Sequence, residues 1–191
     1  MPTRTQIPRA STALLLIDVI NPFDFPRGAT VARRALPMAR HLQRLRERAT
    51  RAGVPVIYVN DNLGRWRSNV DELVQWCGAG GRPGAPLIDL LKPQPNDLVV
   101  LKATLSGFYQ TPLEALLRLA GVRTLLLTGL LADNCVLFTA ADAYMRDYRL
   151  VVPRDCVVGK TPAATQRALA MMRELFDVRT TPSRTVRLSR R

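Results

Sequence analysis

Short, continuous apolar runs recur along the chain, and segments whose apolar residues return at helical spacing lie between them. A run that is apolar at every position is typical of a strand covered on both faces of a sheet. On this basis we predict strands over Ala13–Ile17, Val54–Asn60, Leu98–Leu101, Val122–Leu127 and Tyr148–Val152, with a short sixth strand over Val178–Thr180.

The intervening segments have the amphipathic spacing and the end signals of helices. The first carries apolar residues on one side and arginines on the other, and it ends at Gly53. Thr111-Pro112-Leu113-Glu114 combines a cap, a first-turn proline and a capping-box acid. Further helices are predicted over Asn69–Trp76, from Asn134 to about Arg146, and from Thr161 through Leu175. Strands that alternate with helices predict an α/β fold, a Rossmann-like three-layer α/β/α sandwich with a mostly parallel sheet of about six strands.

The length of 191 residues fits one domain over positions 1–191, and we expect flexible ends over 1–11 and 184–191. The first residues do not resemble a signal peptide, and the apolar run after them is too short to span a bilayer, so no membrane partner is expected. These features predict a cytoplasmic protein.

The net charge of +13 makes nucleic acid a candidate partner, because clustered arginine and lysine release counterions from phosphate. The 28 basic residues are mostly arginines scattered along the whole chain, and only 6% of residues are aromatic. No aromatic stacking motif is interleaved with the basic residues. We therefore expect a small-molecule substrate rather than nucleic acid, and the charge is compatible with an anionic one.

The sequence lacks the residues that several kinds of cofactor site and catalytic site require. Cys77, Cys135 and Cys156 are too widely spaced for a disulfide framework or a metal site. The single histidine, His41, lies midway along a basic helix, away from any strand end. The glycine motifs that hold dinucleotides or ATP phosphates are absent from the sequence. The sequence predicts a site without a metal or cofactor.

Three residues with reactive or ionisable side chains lie where predicted strands end. Asp18 follows the first strand, Lys102 the third, and Cys135 opens the helix after the fourth. Parallel strands bring their carboxyl ends to one edge of a sheet, so these side chains are expected to meet there. Each also has an ordinary interpretation: a turn-forming acid, a surface lysine and a buried structural cysteine.

The start of a helix favours ionisation of a thiol, since unpaired N–H groups and the helix dipole place partial positive charge there. We therefore expect the pKa of Cys135 to be lowered. The same N–H groups could stabilise the negative oxygen that forms when a thiolate attacks a carbonyl carbon.

The chain resembles the isochorismatase-like cysteine hydrolases from Ala13 to about Thr180. The resemblance lies in three motifs in order, which read Leu15-Leu16-Ile17-Asp18 with Asn21-Pro22-Phe23, then Lys102-Ala103-Thr104-Leu105-Ser106-Gly107-Phe108, then Gly129-Leu130-Leu131-Ala132-Asp133-Asn134-Cys135-Val136. It implies a catalytic triad of Cys135, Asp18 and Lys102, in which the aspartate moves the thiol proton and the lysine stabilises the ionised pair. It also implies a cis peptide at Leu130–Leu131, which would direct the N–H groups of Leu131 and Cys135 at the oxyanion, and a homo-oligomer.

The chain also departs from the family pattern. The nicotinamidase branch holds a metal with an aspartate and histidines after the second strand, whereas this chain has no histidine there. Leu131-Ala132 replaces the usual Ala-Thr before the nucleophile. Four residues near the motifs are candidates for a substrate pocket, although core packing or a solvated loop would explain them as well: Phe23, Arg65, Trp66 and Phe108.

The pattern as a whole predicts a cofactor-independent cysteine hydrolase that cleaves a small amide or related C–N bond through a thioester on Cys135. Two alternatives stay open. The first is an isochorismatase-type vinyl ether hydrolase, in which Asp18 would matter more than the thiol. The second is a catalytically silent binding protein of the same fold. Cys77 and Cys156 are expected to be structural, because neither follows a strand that ends in an acid or a base.

Overall fold

A six-stranded parallel sheet organises the computed structural model, which describes residues 7–188. The strands are β1 (Thr12–Ile17), β2 (Val56–Asp61), β3 (Leu98–Lys102), β4 (Thr124–Leu130), β5 (Arg149–Val151) and β6 (Val157–Val158). Their order is β3-β2-β1-β4-β5, and β6 pairs with β4 beyond the end of β5. Every strand pairing is parallel, so the carboxyl ends lie at one edge as expected.

Six helices cover the sheet. They are α1 (Gly28–Arg51), α2 (Val70–Gly78), α3 (Ala85–Leu91), α4 (Leu113–Ala120), α5 (Cys135–Tyr144) and α6 (Pro162–Phe176). A short 3-10 helix, Ser183–Thr185, follows them. Among residues 7–188, no helix combines the length and apolar character that a membrane crossing requires.

The two faces of β1 show why the sheet is central. All six of its residues are buried, as its unbroken apolar pattern predicts. Leu14 and Leu16 pack with α1, α2 and α3 on one side, whereas Leu15 and Ile17 pack with α4, α5 and α6 on the other. Two separate cores therefore flank the sheet, which confirms the three-layer α/β/α architecture.

Helices α2 and α6 begin at side-chain caps. Thr161 caps α6, because its hydroxyl accepts a hydrogen bond from the N–H of Ala164 at 3.0 Å. The capping box predicted near α4 is not formed. The Thr111 hydroxyl accepts a hydrogen bond from Leu113 N–H at 3.2 Å, but Glu114 instead pairs with two arginines, Arg118 and Arg146.

Two elements differ from the prediction. The sixth strand is Val157–Val158, and only an isolated bridge between Val151 and Arg179 stands where Val178–Thr180 was predicted to form a strand. Helix α3 was not predicted, because glycine and proline dominate the segment before it. Pro86 lies in the first turn of α3, where its missing N–H costs no helical hydrogen bond.

Parts of both ends that were predicted to be flexible are hydrogen-bonded to the rest of the protein. Ala10 is buried and donates a backbone hydrogen bond to Ala120 at 2.9 Å. Arg48 of α1 donates hydrogen bonds to the carbonyl oxygens of Ser183 and Val186 at 2.9 and 2.7 Å, and Val186 is buried. These hydrogen bonds hold Ser183 and Val186 against α1, and the expectation of flexible ends over 1–11 and 184–191 stays a prediction. Positions 1–6 and 189–191 lie outside the described residues.

Candidate active site

Three of the predicted residues meet at the carboxyl edge of the sheet. Asp18 directly follows β1, Lys102 is the last residue of β3, and Cys135 is the first residue of α5. The Lys102 ammonium nitrogen lies 2.9 Å from Asp18 Oδ2 and 3.6 Å from Cys135 Sγ. The Asp18 carboxylate and the Cys135 thiol also influence each other's ionisation, and the Asp18 charge raises the pKa of the thiol. The sequence therefore identified a cluster that the fold assembles.

The ion pair in this cluster is almost completely removed from solvent. The side chain of Lys102 is 0% exposed and that of Asp18 is 8% exposed. Lys102 also donates a hydrogen bond to the carbonyl oxygen of Thr104 at 2.9 Å. A buried ammonium group needs such partners, because an unpaired charge in the interior is strongly unfavourable.

Asp61 is a fourth member of the cluster that the sequence reasoning missed. Its Oδ2 lies 3.5 Å from Lys102 Nζ, and its backbone N–H donates a hydrogen bond to Asp18 Oδ1 at 2.6 Å. Asp61 is the last residue of β2 and is paired in register with Lys102. The rule that singled out Asp18, an acid at the end of a parallel strand, applies equally to Asp61 and could have found it.

The electrostatics of the cluster differ from the expectation for the thiol. Burial and the Asp18 charge raise the pKa of Cys135 to about 12, and Lys102 opposes this only in part. Burial also raises the pKa of Asp18. Burial alone would lower the pKa of Lys102, but the charges of Asp18 and Cys135 outweigh it and raise that pKa.

The expected lowering of the Cys135 pKa is therefore wrong for the resting site. The expectation assumed that the helix start acts on a thiol in contact with water. This thiol is instead desolvated, and the charge of a nearby carboxylate acts on it. At neutral pH the resting site holds a thiol, and a base within the cluster has to remove its proton.

The turn before Cys135 contains backbone N–H groups without a hydrogen-bond acceptor in the described part of the chain. The peptide bond between Leu130 and Leu131 is cis, as predicted. The carbonyl oxygen of Leu131 accepts hydrogen bonds from the N–H groups of Asn134 and Val136. Within residues 7–188, the N–H groups of Leu131 and Cys135 themselves donate no hydrogen bond. They are available as donors to a ligand.

The other two cysteines lie apart from this cluster. Cys77 and Cys156 are both 0% exposed and pack in the core between the sheet and α1, as expected for structural residues. Cys135 is only partly buried. The interpretation of Cys135 as core filling does not fit its exposure or its contacts.

A cavity of about 340 Å³ lies next to Lys102, which forms part of its wall, whereas Asp18, Asp61 and Cys135 are not among its lining residues. Arg65 and Trp66 line this cavity, and their assignment to a substrate pocket stays a prediction. Tyr109 and Gln110 also line it, although the sequence reasoning did not select them. Trp66 is 78% exposed, so a large apolar surface borders this cavity.

Two of the four predicted pocket residues are core residues instead. Phe23 is 2% exposed, and its ring packs 6.0 Å from that of Phe25. Phe108 is 4% exposed and packs against Tyr148, with the guanidinium of Arg146 over its ring. Neither ring lines the cavity next to Lys102. In this structure both rings are therefore packed in the core, and their assignment to a substrate pocket stays a prediction.

Comparison with known proteins decides the family. The model of the isochorismatase domain matches residues 12–183, which include every strand and all four residues of the cluster. The chain belongs to the isochorismatase family.

Relatives in this family include enzymes that are named for amide substrates. The chain is 35% identical to the uncharacterized isochorismatase family protein YaaI of Bacillus subtilis, over 88% of this chain and 92% of the relative. It is 30% identical to the ureidoacrylate amidohydrolase RutB of Methylobacterium radiotolerans, over 87% of this chain and 74% of the relative. The crystal structure of N-carbamoylsarcosine amidase from Thermoplasma acidophilum superimposes with a TM-score of 0.71 at 31% identity, and the match covers 92% of this chain and 98% of that one.

A nicotinamidase is also similar in fold. The enzyme SaPncA of Staphylococcus aureus matches with a TM-score of 0.67 at 21% identity, which supports the shared fold alone. In this isochorismatase-family chain, residues 7–188 contain no group of three or more histidine, cysteine or acidic side chains placed to hold a metal ion. The single histidine, His41, lies 3.6 Å from Asp155 and away from the cluster.

Proposed function

We propose that this protein is a hydrolase that cleaves the C–N bond of a small amide or carbamoyl compound through a thioester on Cys135. The observation that carries the proposal is the position of Lys102, whose ammonium nitrogen lies 2.9 Å from Asp18 and 3.6 Å from Cys135. A nucleophile and a base that both contact one cation, with the nucleophile only partly buried, fit the arrangement that nucleophilic catalysis requires.

The first step is removal of the thiol proton by Asp18. Burial raises the pKa of this carboxyl, which makes its ionised form a stronger base than a solvated aspartate. The proton moves from sulfur to oxygen while Lys102 stays within contact of both. Because the pKa of Cys135 is raised to about 12, the thiolate forms together with this transfer rather than before it.

The second step is attack on the carbonyl carbon. The sulfur forms a C–S bond, the carbonyl oxygen becomes negative, and the unpaired N–H groups of Leu131 and Cys135 would stabilise it. The C–N bond then breaks, and Asp18 returns its proton to the leaving amine. A water molecule activated by Asp18 hydrolyses the thioester and restores the thiol.

The substrate class rests on the relatives and the cavity. Two similar enzymes are named for ureidoacrylate and N-carbamoylsarcosine, both of which contain a carbamoyl group. The cavity beside Lys102 has a volume of about 340 Å³, which suits a small molecule. Arg65 and Trp66 would contact the part of the substrate that does not react.

The test is ammonia release from a panel of small amides, N-carbamoyl compounds and ureides. Wild type is compared with Cys135→Ala and with Cys77→Ala as the matched cysteine control. We expect turnover by wild type and by Cys77→Ala, and none by Cys135→Ala. Undiminished turnover by Cys135→Ala would exclude the covalent route. Hydrolysis of isochorismate that needs Asp18 but not Cys135 would support the vinyl ether alternative, and inactivity on every compound would support the binding protein.

A further inference from the structure

Asp61 touches two members of the triad, one through its backbone and one through its side chain. We propose that Asp61 is a positioning residue whose negative charge sets the pH range in which Cys135 becomes nucleophilic. The inference rests on the proposed function, because it assigns Asp61 a role in the reaction of the same thiol.

The local geometry holds the Asp61 carboxylate in one orientation. Its Oδ1 accepts a hydrogen bond from the N–H of Leu63 at 2.7 Å, and its Oδ2 lies 3.5 Å from Lys102 Nζ. The backbone N–H of the same residue donates to Asp18 Oδ1 at 2.6 Å. In-register pairing with Lys102 across β2 and β3 fixes the position of the backbone. The fold thus fixes the position of the negative charge of Asp61 at the carboxyl edge of the sheet.

The two carboxylates that pair with Lys102 are not equivalent. The Asp18 side chain is 8% exposed, pairs with Lys102 and acts directly on the Cys135 thiol, whereas the Asp61 side chain is 30% exposed and pairs with Lys102 alone among these groups. Asp18 is therefore placed to exchange a proton with Cys135. Asp61 is placed to act through Lys102, by taking part of its positive charge.

The sign of this effect follows from charge alone. The titratable groups that contact or act on Lys102 are Asp18, Asp61 and Cys135. A negative charge close to any ionisable group favours its protonated form and so raises its pKa. Removal of the Asp61 charge therefore lowers the pKa of Lys102, of Asp18 and of Cys135 together. Cys135 should then ionise at lower pH.

The experiment measures the pH dependence of alkylation of Cys135 by iodoacetamide, with the modified residue identified by mass spectrometry. Asp61→Asn removes the charge but keeps an oxygen that can accept from Leu63, and Asp61→Ser is a second neutral variant should the first fail to fold. At a fixed pH below the thiol pKa, we expect the alkylation rate to rise about tenfold in each neutral variant, which corresponds to a midpoint lower by about one pH unit. Asp61→Glu keeps the charge and should retain the wild-type midpoint.

A matched control removes a carboxylate from the surface elsewhere. Asp71→Asn, in the exposed first turn of α2, should leave the midpoint unchanged. Lower reactivity with an unshifted midpoint would show that Asp61 has only a structural role and would overturn the proposal. An upward shift would also overturn it. The readout needs no substrate, so it separates failure of this inference from failure of the proposed hydrolysis.

Discussion

Replacement of Lys102 by methionine tests whether the buried charge cluster exists as described. Methionine keeps much of the length of the side chain but removes the ammonium group, which leaves the carboxylate of Asp18 without its cation. Both side chains are nearly inaccessible, at 0% and 8% exposure. Loss of one partner from a buried ion pair costs about 3–5 kcal/mol in the free energy of unfolding. We expect a loss in this range for Lys102→Met at pH 8.

The loss of stability in Lys102→Met should depend on pH, and the direction of this dependence follows from the pKa of Asp18. Burial raises the pKa of Asp18, and Lys102 opposes that rise in the wild type. Without Lys102 the folded-state pKa of Asp18 rises further above its unfolded value of about 3.9. A group whose folded pKa is raised contributes stability that is lost as pH increases from the unfolded toward the folded pKa. The variant should therefore be less impaired at pH 5 than at pH 8.

The assay is urea unfolding of wild type and Lys102→Met at pH 5 and pH 8, with the double variant Asp18→Asn/Lys102→Met as a control. Each additional unit of pKa shift corresponds to about 1.4 kcal/mol between the two conditions. The double variant has no buried charge at position 18, so it should regain stability at pH 8. Equal destabilisation at both pH values, or no recovery in the double variant, would refute the electrostatic reasoning.

Three further predictions concern other parts of the molecule. Gly129→Ala should lower the free energy of unfolding by about 2 kcal/mol or more in a urea titration, because Gly129 has φ 105 and an added Cβ would overlap the carbonyl oxygen of Ile17; unchanged stability would contradict this. Arg48→Ala should release segment 183–186 from α1 and raise its hydrogen exchange without changing activity; an unchanged exchange rate would show that the two hydrogen bonds do not hold it. Arg65→Ala should raise KM with little change in kcat on the best substrate found, and a change in kcat alone would place Arg65 outside substrate binding.

The clustering of Asp18, Lys102 and Cys135 could be predicted from the sequence, because parallel strands bring their carboxyl ends to one edge of a sheet. Asp18, Lys102 and Cys135 are far apart in the chain, yet each lies at or shortly after the carboxyl end of a strand, and these strands end at the same edge. The same rule would have added Asp61. The polar residues after it favoured a loop that begins at Asp61, so Asp61 was not recognised as the end of a strand. Register settles the question, since Asp61 pairs with Lys102 across β2 and β3.

Side-chain direction and desolvation were beyond the sequence pattern. Phe23 and Phe108 lie beside the right motifs, but their rings turn into the core, and no periodicity encodes that choice in an irregular loop. The thiol of Cys135 stands at a helix start, as predicted. Its pKa nevertheless rises to about 12, because the depth of burial and the nearness of Asp18 depend on how distant segments close over the site.

The charges of the cluster also limit how the thiol can react. One ammonium group, Lys102, faces two carboxylates, so a third negative charge on Cys135 would have no cation left to offset it. At an effective dielectric constant of 20, two unit charges 4 Å apart interact by about 4 kcal/mol, which is enough to disfavour an added thiolate. Transfer of the proton from sulfur to Asp18 avoids this cost, because the net charge of the cluster stays constant. Under the proposed mechanism, the proton that leaves Cys135 therefore stays in the site and remains available for the leaving amine.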